Sequence, residues 1–422
     1  MRSRYFRYLF ENLDDGMFHS GCIYDKAKET TTNFIYMTGN YDRNMKIKKT
    51  KLVEADKETI PQRVDILVVG GYTISYIKRL IYIVKNHEVE KVILPYLTPI
   101  QRLVMTEYVA EGDESAREIV RFLQDPYVFL KDIGLEDILF LYGNNTSIYR
   151  EPEELESGSH FVPADAEILH MIREMEGYSL PVVKAGYIIE NKWFFMFGVY
   201  GLDIHTLSEF TREYFGHKDK KEDYVHQMKR LIQKYMQTFG VASATTVAMY
   251  EGPIYASPRD NESFMVEKEF SRKERCEAWI HQKQDNCCTC AIRCLHDKDH
   301  DIMQHHKDVR WDNPRFGTLL LGNVNLKKYF SEVMDQFWIV RNHIRAVTVP
   351  NCGSKDDWNS EILKLSSEQE RIYWICNRHE KTAPTVVNEI VMFSSNNRFL
   401  RMDKEMGGCF SGYIVPKEET NA

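Results

Sequence analysis

Arg63-Val64-Asp65-Ile66-Leu67-Val68-Val69-Gly70-Gly71-Tyr72-Thr73-Ile74-Ser75-Tyr76 decides how this chain is read. The run from Arg63 to Val69 is short and almost continuously apolar, made of Val, Ile and Leu, and Gly70-Gly71 ends it. That pattern predicts a short strand buried on both faces. Ile77, Leu80, Ile81 and Val84 then recur at helical spacing, so a helix follows with one apolar face. Lys91-Val92-Ile93-Leu94-Pro95 reads as the next strand. Strand, helix and strand in about thirty residues make a βαβ-like unit, the mark of an α/β fold.

Working outward, Gly21-Cys22-Ile23-Tyr24 and Asn33-Phe34-Ile35-Tyr36-Met37 read as hairpin strands before this unit. After it, Ser115 to Gln124 is helical and stops at Asp125-Pro126, where proline blocks continuation. Ile138–Tyr142 and Trp193–Phe197 read as strands. Asp223 to Phe239 is an amphipathic helix, with Val225, Met228, Leu231, Ile232, Tyr235 and Phe239 forming a stripe for a core or a subunit face. Strand Thr245–Tyr250 follows. Strand Thr318–Leu321, helix Leu326–Trp338, strand Ile344–Val349, helix Asn359–Leu365, strand Ile372–Cys376 and helix Thr385–Ser394 complete an alternating pattern, and Gly412–Val415 adds a short β tail.

At 422 residues with 43% hydrophobic side chains, the chain is long enough for a sizeable core. A net charge of −7 argues against a global attraction to nucleic acid or anionic lipid. No apolar run approaches the ~18 residues that span a bilayer. Met1-Arg2-Ser3-Arg4-Tyr5-Phe6-Arg7-Tyr8 is basic but has neither an apolar core nor a cleavage site, so it does not read as a signal peptide. The expected location is cytoplasmic, without a membrane partner. Lys46-Ile47-Lys48-Lys49-Thr50-Lys51 is a local basic patch; a lysine-bearing hairpin tip is the favoured reading and nucleic-acid contact the less favoured one. His217–Asp223 is of mixed sign and reads as a solvated loop.

Further frames stand beside the opening stretch: Tyr36-Met37-Thr38-Gly39-Asn40, Gly322-Asn323, Pro350-Asn351-Cys352-Gly353-Ser354 and Ala383-Pro384-Thr385. Together they resemble metallo-β-lactamase-fold hydrolases, especially the branch related to DNA-uptake competence proteins. The resemblance spans roughly residues 10–100, 190–253 and 316–415. It implies one domain over 1–422, an αββα sandwich, with a helical insertion at about 103–180 and a Cys/His-rich one at about 254–316.

In that family the frames carry ligands to two metal ions, which polarise the substrate and activate a water. Here the ligand positions of the His-x-His-x-Asp-His frame are Gly71, Thr73, Ser75 and Tyr76. Glycine has no donor, the hydroxyls are poor ligands at neutral pH, and tyrosine ligates only as phenolate, with an ordinary pKa near ~10. The bridging carboxylate of the Gly-Asp frame is replaced by Asn323. Pro350, Gly353 and Ser354 keep the Pro-His-His-Gly-Ser frame while Asn351 and Cys352 take its imidazole positions. The resemblance therefore implies a catalytically inactive member with no catalytic residues, acting as a binding, regulatory or scaffolding subunit, beside a protein partner or as a homo-oligomer, in a bacterial defence or signalling setting. Two other readings stay open. One is a remodelled phosphodiesterase or nuclease built from Cys352, Asn351, Thr73, Ser75 and Tyr76, with His379 as the nearest basic partner for the thiol. The other is a nucleotide-sensing module, with phosphate near Gly70-Gly71, Thr73 and Ser75.

Five of the nine cysteines fall between Cys276 and Cys294. In a reducing compartment such density reads as a metal site before a disulfide framework. Cys287, Cys288, Cys290, Cys294 and His296 are the candidate ligands of one structural zinc ion, which would staple a polar insertion. Cys290 and Cys294 are four apart and would share a helix face, whereas Cys287 and Cys288 do not readily face one ion. A free-thiol cluster is the competing reading. Elemental mass spectrometry is expected to find about one zinc per chain, lost in a Cys290→Ser/Cys294→Ser variant; metal retained in that variant would place it elsewhere.

Overall fold

The computed structural model describes residues 4–12, 16–25, 28–39, 60–107, 109, 114–142, 156–216, 224–240, 245–254, 261–271, 316–365, 372–377, 383–394, 397–402 and 406–416. The strands are β1 (Arg4–Asn12), β2 (Gly16–Asp25), β3 (Thr30–Gly39), β4 (Arg63–Gly71), β5 (Glu88–Pro95), β6 (Asp137–Leu141), β7 (Gly158–Pro163), β8 (Val182–Glu190), β9 (Trp193–Tyr200), β10 (Thr246–Pro253), β11 (Asn261–Ser271), β12 (Gly317–Leu320), β13 (Ile344–Thr348), β14 (Tyr373–Asn377), β15 (Arg398–Met402) and β16 (Met406–Pro416). The α-helices are α1 (Ile74–Asn86), α2 (Pro99–Thr106), α3 (Glu114–Gln124), α4 (Pro126–Asp132), α5 (Ala166–Glu176), α6 (Ile204–Gly216), α7 (Tyr224–Phe239), α8 (Leu326–Phe337) and α9 (Pro384–Phe393).

The chain is mixed α/β, built on one large mixed sheet. Its strand order is β11-β16-β1-β2-β3-β4-β5-β6-β8-β9-β10-β12-β13-β14-β15, with β7 paired on β8. β3 through β6 run parallel, as do β12 through β15. β1, β2 and β16 are antiparallel neighbours, and so are β8, β9, β10 and β12. Within the sheet the two halves are joined where Phe140 and Leu141 of β6 pair with Val182 and Val183 of β8.

Side-chain alternation sorts the core into three apolar clusters. In β4, Leu67 and Val69 face the helices, packing with Tyr76, Ile77 and Leu80 of α1. Ile66 and Val68 face the other way, into a middle cluster with Phe34 and Ile93. That cluster also takes Trp193, Phe195 and Phe197 of β9, Val247 and Met249 of β10, and Tyr373 and Ile375 of β14. Phe194 and Met196 of β9 face a third cluster with Val333 and Phe337 of α8 and Trp374 of β14. The middle cluster thus joins inner faces from both halves. Phe34 meets Phe195 edge-on with ring centroids 5.1 Å apart. Tyr36 Oη donates to the Val247 carbonyl at 2.8 Å. Each fully buried aromatic of this layer contributes about 1.5–3 kcal/mol.

Several expectations change in the structure. Within the span at about 103–180, β6 is the strand expected at Ile138–Tyr142, hydrogen-bonded between β5 and β8, while β7 is a further strand that the sequence pattern does not predict. β11, at the start of the Cys/His-rich span, pairs along its length with β16. The expected helix at 359–365 is a 3-10 segment (Ser360–Leu365), tightened where Glu361 N donates to Asn359 Oδ1 at 3.0 Å. The helix from Leu326 ends at Phe337 and continues as 3-10 to His343. Among the described residues no helix is long and apolar enough to cross a membrane.

The middle layer also holds polar groups. Glu251 Oε2 accepts from Trp193 Nε1 at 2.8 Å, and Glu251 Oε1 lies 3.5 Å from His19 Nε2, with both side chains fully buried. Removing one member of a buried pair strands the other away from water. Glu251→Ala is expected to cost about 3–5 kcal/mol in urea unfolding, and Glu251→Gln less. A loss below about 1 kcal/mol for the alanine variant would mean that the pair does not hold the layers together.

Candidate functional site

The five frames lie in five separate stretches of chain, and the fold gathers them. β4 ends at Gly71 and α1 begins at Ile74, so the first frame is the turn between strand and helix. Thr73 caps α1, its extended backbone letting Oγ1 accept from Tyr76 N at 3.4 Å. β3 ends at Gly39, directly against Thr73: a Cβ at Gly39 would overlap that side chain. Asn323, at the end of β12, donates its amide Nδ2 to the Gly39 carbonyl and to Thr38 Oγ1 at 3.5 Å. Asn351 N donates to the Gly322 carbonyl at 2.9 Å, and Ala383 N donates to the Gly353 carbonyl at 3.2 Å.

The loop after β13 is strained. Asn351, Cys352 and Gly353 have φ of 44°, 54° and 76°, three successive left-handed residues of which two are not glycine. Such conformations cost of order 1–3 kcal/mol each and persist only where neighbours hold them. Asp357 supplies that hold. Its carboxylate accepts from Asn351 Nδ2 and from Asn325 Nδ2, while Asn325 Oδ1 caps α8 by accepting from Lys328 N at 3.0 Å. Asp357 was not singled out in the sequence. Its signal, a carboxylate six residues after Asn351, is too common to notice without the fold.

Tyr36 fills the space between the frames. It is fully buried, and a Cβ at Gly70 or at Gly322 would overlap its hydroxyl. Gly322 also adopts φ +57°, which a side chain rarely takes. Of the residues weighed for a replacement chemistry, Thr73 and Asn351 join the gathered frames and Ser75 lies half-buried in the first turn of α1. Tyr76 packs into the helix-side cluster, with Arg79 over its ring at 5.1 Å. Cys352 is buried in the third cluster. His379, the Lys46–Lys51 patch, the His217–Asp223 run and the zinc candidates Cys287, Cys288, Cys290, Cys294 and His296 lie outside the described residues.

The donors brought together are hydroxyls, amides, a buried thiol and one carboxylate, Asp357, whose two oxygens are taken by Asn351 and Asn325. That set does not fit a pair of divalent ions, which need imidazoles and carboxylates converging. Among the described residues no group of three or more His, Cys, Asp or Glu could hold a metal ion. The gathered groups are not all satisfied, however. Asn323 Oδ1 and Thr246 Oγ1 are buried without a hydrogen-bond partner. Thr246 adjoins Gly322, where a Cβ would lie 3.5 Å from its methyl carbon and equally from Thr38 Oγ1.

No known protein family matches the chain, and no characterised protein or solved structure matches it either.

Asn323→Asp tests whether this position is built for an amide. The amide's donor is lost and a carboxylate faces the Gly39 carbonyl. The expected cost is about 1–3 kcal/mol at pH 7. Burial would raise the new carboxyl's pKa in the folded state above its unfolded value of ~3.9. The penalty should therefore shrink as pH falls toward 4 and grow above it. Added Zn2+ should shift the variant's melting temperature no more than the wild type's; a larger shift in the variant would mean that the frames still assemble a metal site.

Proposed function

We propose that this chain is a catalytically inactive, metallo-β-lactamase-like αββα sandwich that serves as a binding, regulatory or scaffolding subunit. Its partner would be another protein or a second copy of itself, and a single zinc ion in the Cys/His-rich span would be structural. The sandwich reading is supported by the three apolar clusters, with helices against the outer two and inner strand faces sharing the middle one.

The observation that carries the functional reading is Asn323. In the family's frame this position offers a carboxylate to metal. Here the side chain is a cross-link whose N–H donates to the Gly39 carbonyl. A carboxylate cannot make that bond, and an amide carries no charge to offer a divalent ion. Asn351 is likewise turned to Asp357, and Tyr36 packs against the glycines behind the frames. Residues at former ligand positions thus hold the loops to one another. A scaffold with fixed loops suits recognition by its outer surface.

The nucleotide-sensing alternative places a phosphate near Gly70-Gly71, Thr73 and Ser75. Tyr36 packs against Gly70, and Thr73 packs against Gly39 while its Oγ1 caps α1. That filled turn ranks the phosphate reading second.

Purified chain incubated with bis(p-nitrophenyl) phosphate and with single-stranded DNA, each with Mn2+ or Zn2+, is expected to show no turnover above buffer. Light scattering, with co-purification, is expected to find self-association or a stoichiometric partner. Turnover abolished by Thr73→Ala or Cys352→Ala would sink the inactive reading. A strictly monomeric chain with no partner would sink the subunit reading.

A further inference from the structure

The outer helical face of the sheet's second half carries uncovered apolar surface. α9 reads Pro384-Thr385-Val386-Val387-Asn388-Glu389-Ile390-Val391-Met392-Phe393. Its apolar residues fall on every side of the helix, a pattern that belongs to helices buried all round. The fold covers only one side, where Val386 and Ile390 enter the third cluster. Val391, Met392 and Phe393, in the last turn, stay 51%, 84% and 41% exposed. Covering them would remove apolar area from water at about 25 cal/mol per Å².

Trp338 adds to this surface. It opens the 3-10 segment Trp338–His343 that follows α8, and it is 51% exposed. Arg341 stacks over it, the guanidinium carbon 3.6 Å from the ring centroid, while Nη1 donates to the Trp338 carbonyl at 3.1 Å. Met334 and Phe330, half-buried, stand one and two turns before it. Among the described residues six large apolar side chains are exposed, and four of them are Trp338, Val391, Met392 and Phe393. Scattered exposed apolar residues mean little, but a concentration on one face marks a contact surface.

Topology brings the four to one end of that face. α8 and its 3-10 extension lead into β13, and α9 leads into β15, so both helices finish where the parallel strands β13, β14 and β15 begin. Ala346, Tyr373 and Arg398 form one row across those strand starts, two strand spacings or about 10 Å wide. The frames at Asn323 and Asn351 follow the opposite ends of β12 and β13.

Charge decides the occupant. Exposed Glu332 and Asp335 precede Trp338 on α8, and Arg341 and exposed Arg398 lie beyond it and α9. The rim therefore carries both signs. Such a rim complements itself under a two-fold rotation, in which carboxylates of one copy face arginines of the other. An anionic lipid surface calls for a basic rim, and these carboxylates would oppose it. Trp, Met, Phe and Arg are also the side chains enriched at protein contacts. We propose that the last turn of α9, together with Trp338 and Arg341, is the surface through which two copies of this chain pair about a two-fold axis. The proposal rests on the subunit reading and commits it to a second copy.

Sedimentation of the full chain over a range of concentrations tests it, with Met392→Asp, Trp338→Glu and, as a control on β7, Val162→Asp. The wild type is expected to form dimers, and Val162→Asp to match it. Met392→Asp and Trp338→Glu should each weaken association by about tenfold or more. Met392 is 84% exposed, so its replacement leaves the core intact, and circular dichroism checks that the variant is folded; should Trp338→Glu fail to fold, Met392→Asp decides. A wild-type dimer that both variants leave intact overturns the proposed surface while the subunit reading stands. A monomeric wild type overturns the proposal too. If that monomer holds a different protein through Met392, the subunit reading survives; if it binds only phosphatidylserine vesicles, a lipid surface replaces the second copy; if it binds neither, the subunit reading falls as well.

Discussion

The apolar layer shared by the two halves of the sheet governs everything else in this molecule. β3, β4, β9, β10 and β14 each bury both faces, so each must find apolar partners on two sides. The inner faces find them in each other, through contacts such as Phe34 with Phe195 and Tyr36 with Val247. Once those faces lock, the ends of β3, β4, β12 and β13 are carried to a common place, and the turns that follow β4, β12 and β13 have little freedom. The polar trio of His19, Glu251 and Trp193 sits in the same layer, where a wrong register would leave buried polar groups unpaired as well as a cavity.

The gathered loops then hold one another by hydrogen bonds. Asn323 ties the end of β12 to the end of β3, and Asp357 ties the left-handed run at Asn351–Gly353 to the start of α8. These bonds offset backbone strain that the loop would not keep by itself. Amides suit the task because they donate and accept without carrying a charge that burial would penalise. The same neutrality makes the set a poor host for divalent ions, so the chemistry of the loops and their mechanical role point the same way.

The ion pair of Arg102 and Glu176 follows another logic. There the fold buries both charges and leaves one guanidinium N–H unmet. Its surroundings come from the helices after β5, from β6 and from the turn that carries Tyr72. Helix, sheet and frame therefore meet around one small polar spot.

Much of the layout was legible in the sequence. The apolar run at Val64–Val69, the two glycines after it and the helical spacing from Ile77 to Val84 predict β4 and α1, because period and length are local properties. The paired strands around Cys22 and Phe34 and the alternation after Gly317 were equally local. The frames were readable as frames, since each is a short stretch whose residue types are recorded in order. The sequence alone also determined that the gathered frames carry amides and hydroxyls where a metal site needs imidazoles and carboxylates. What it did not contain was partnership. β16 inserts between β1 and β11, β6 closes against β8, and a strand-end asparagine bonds a carbonyl nearly three hundred residues away, at Gly39. The left-handed turn, the clamp by Asp357 and the ion pair of Arg102 with Glu176 belong to that second class. They depend on which apolar faces meet across the middle layer and around the helices, and only the packed chain settles that.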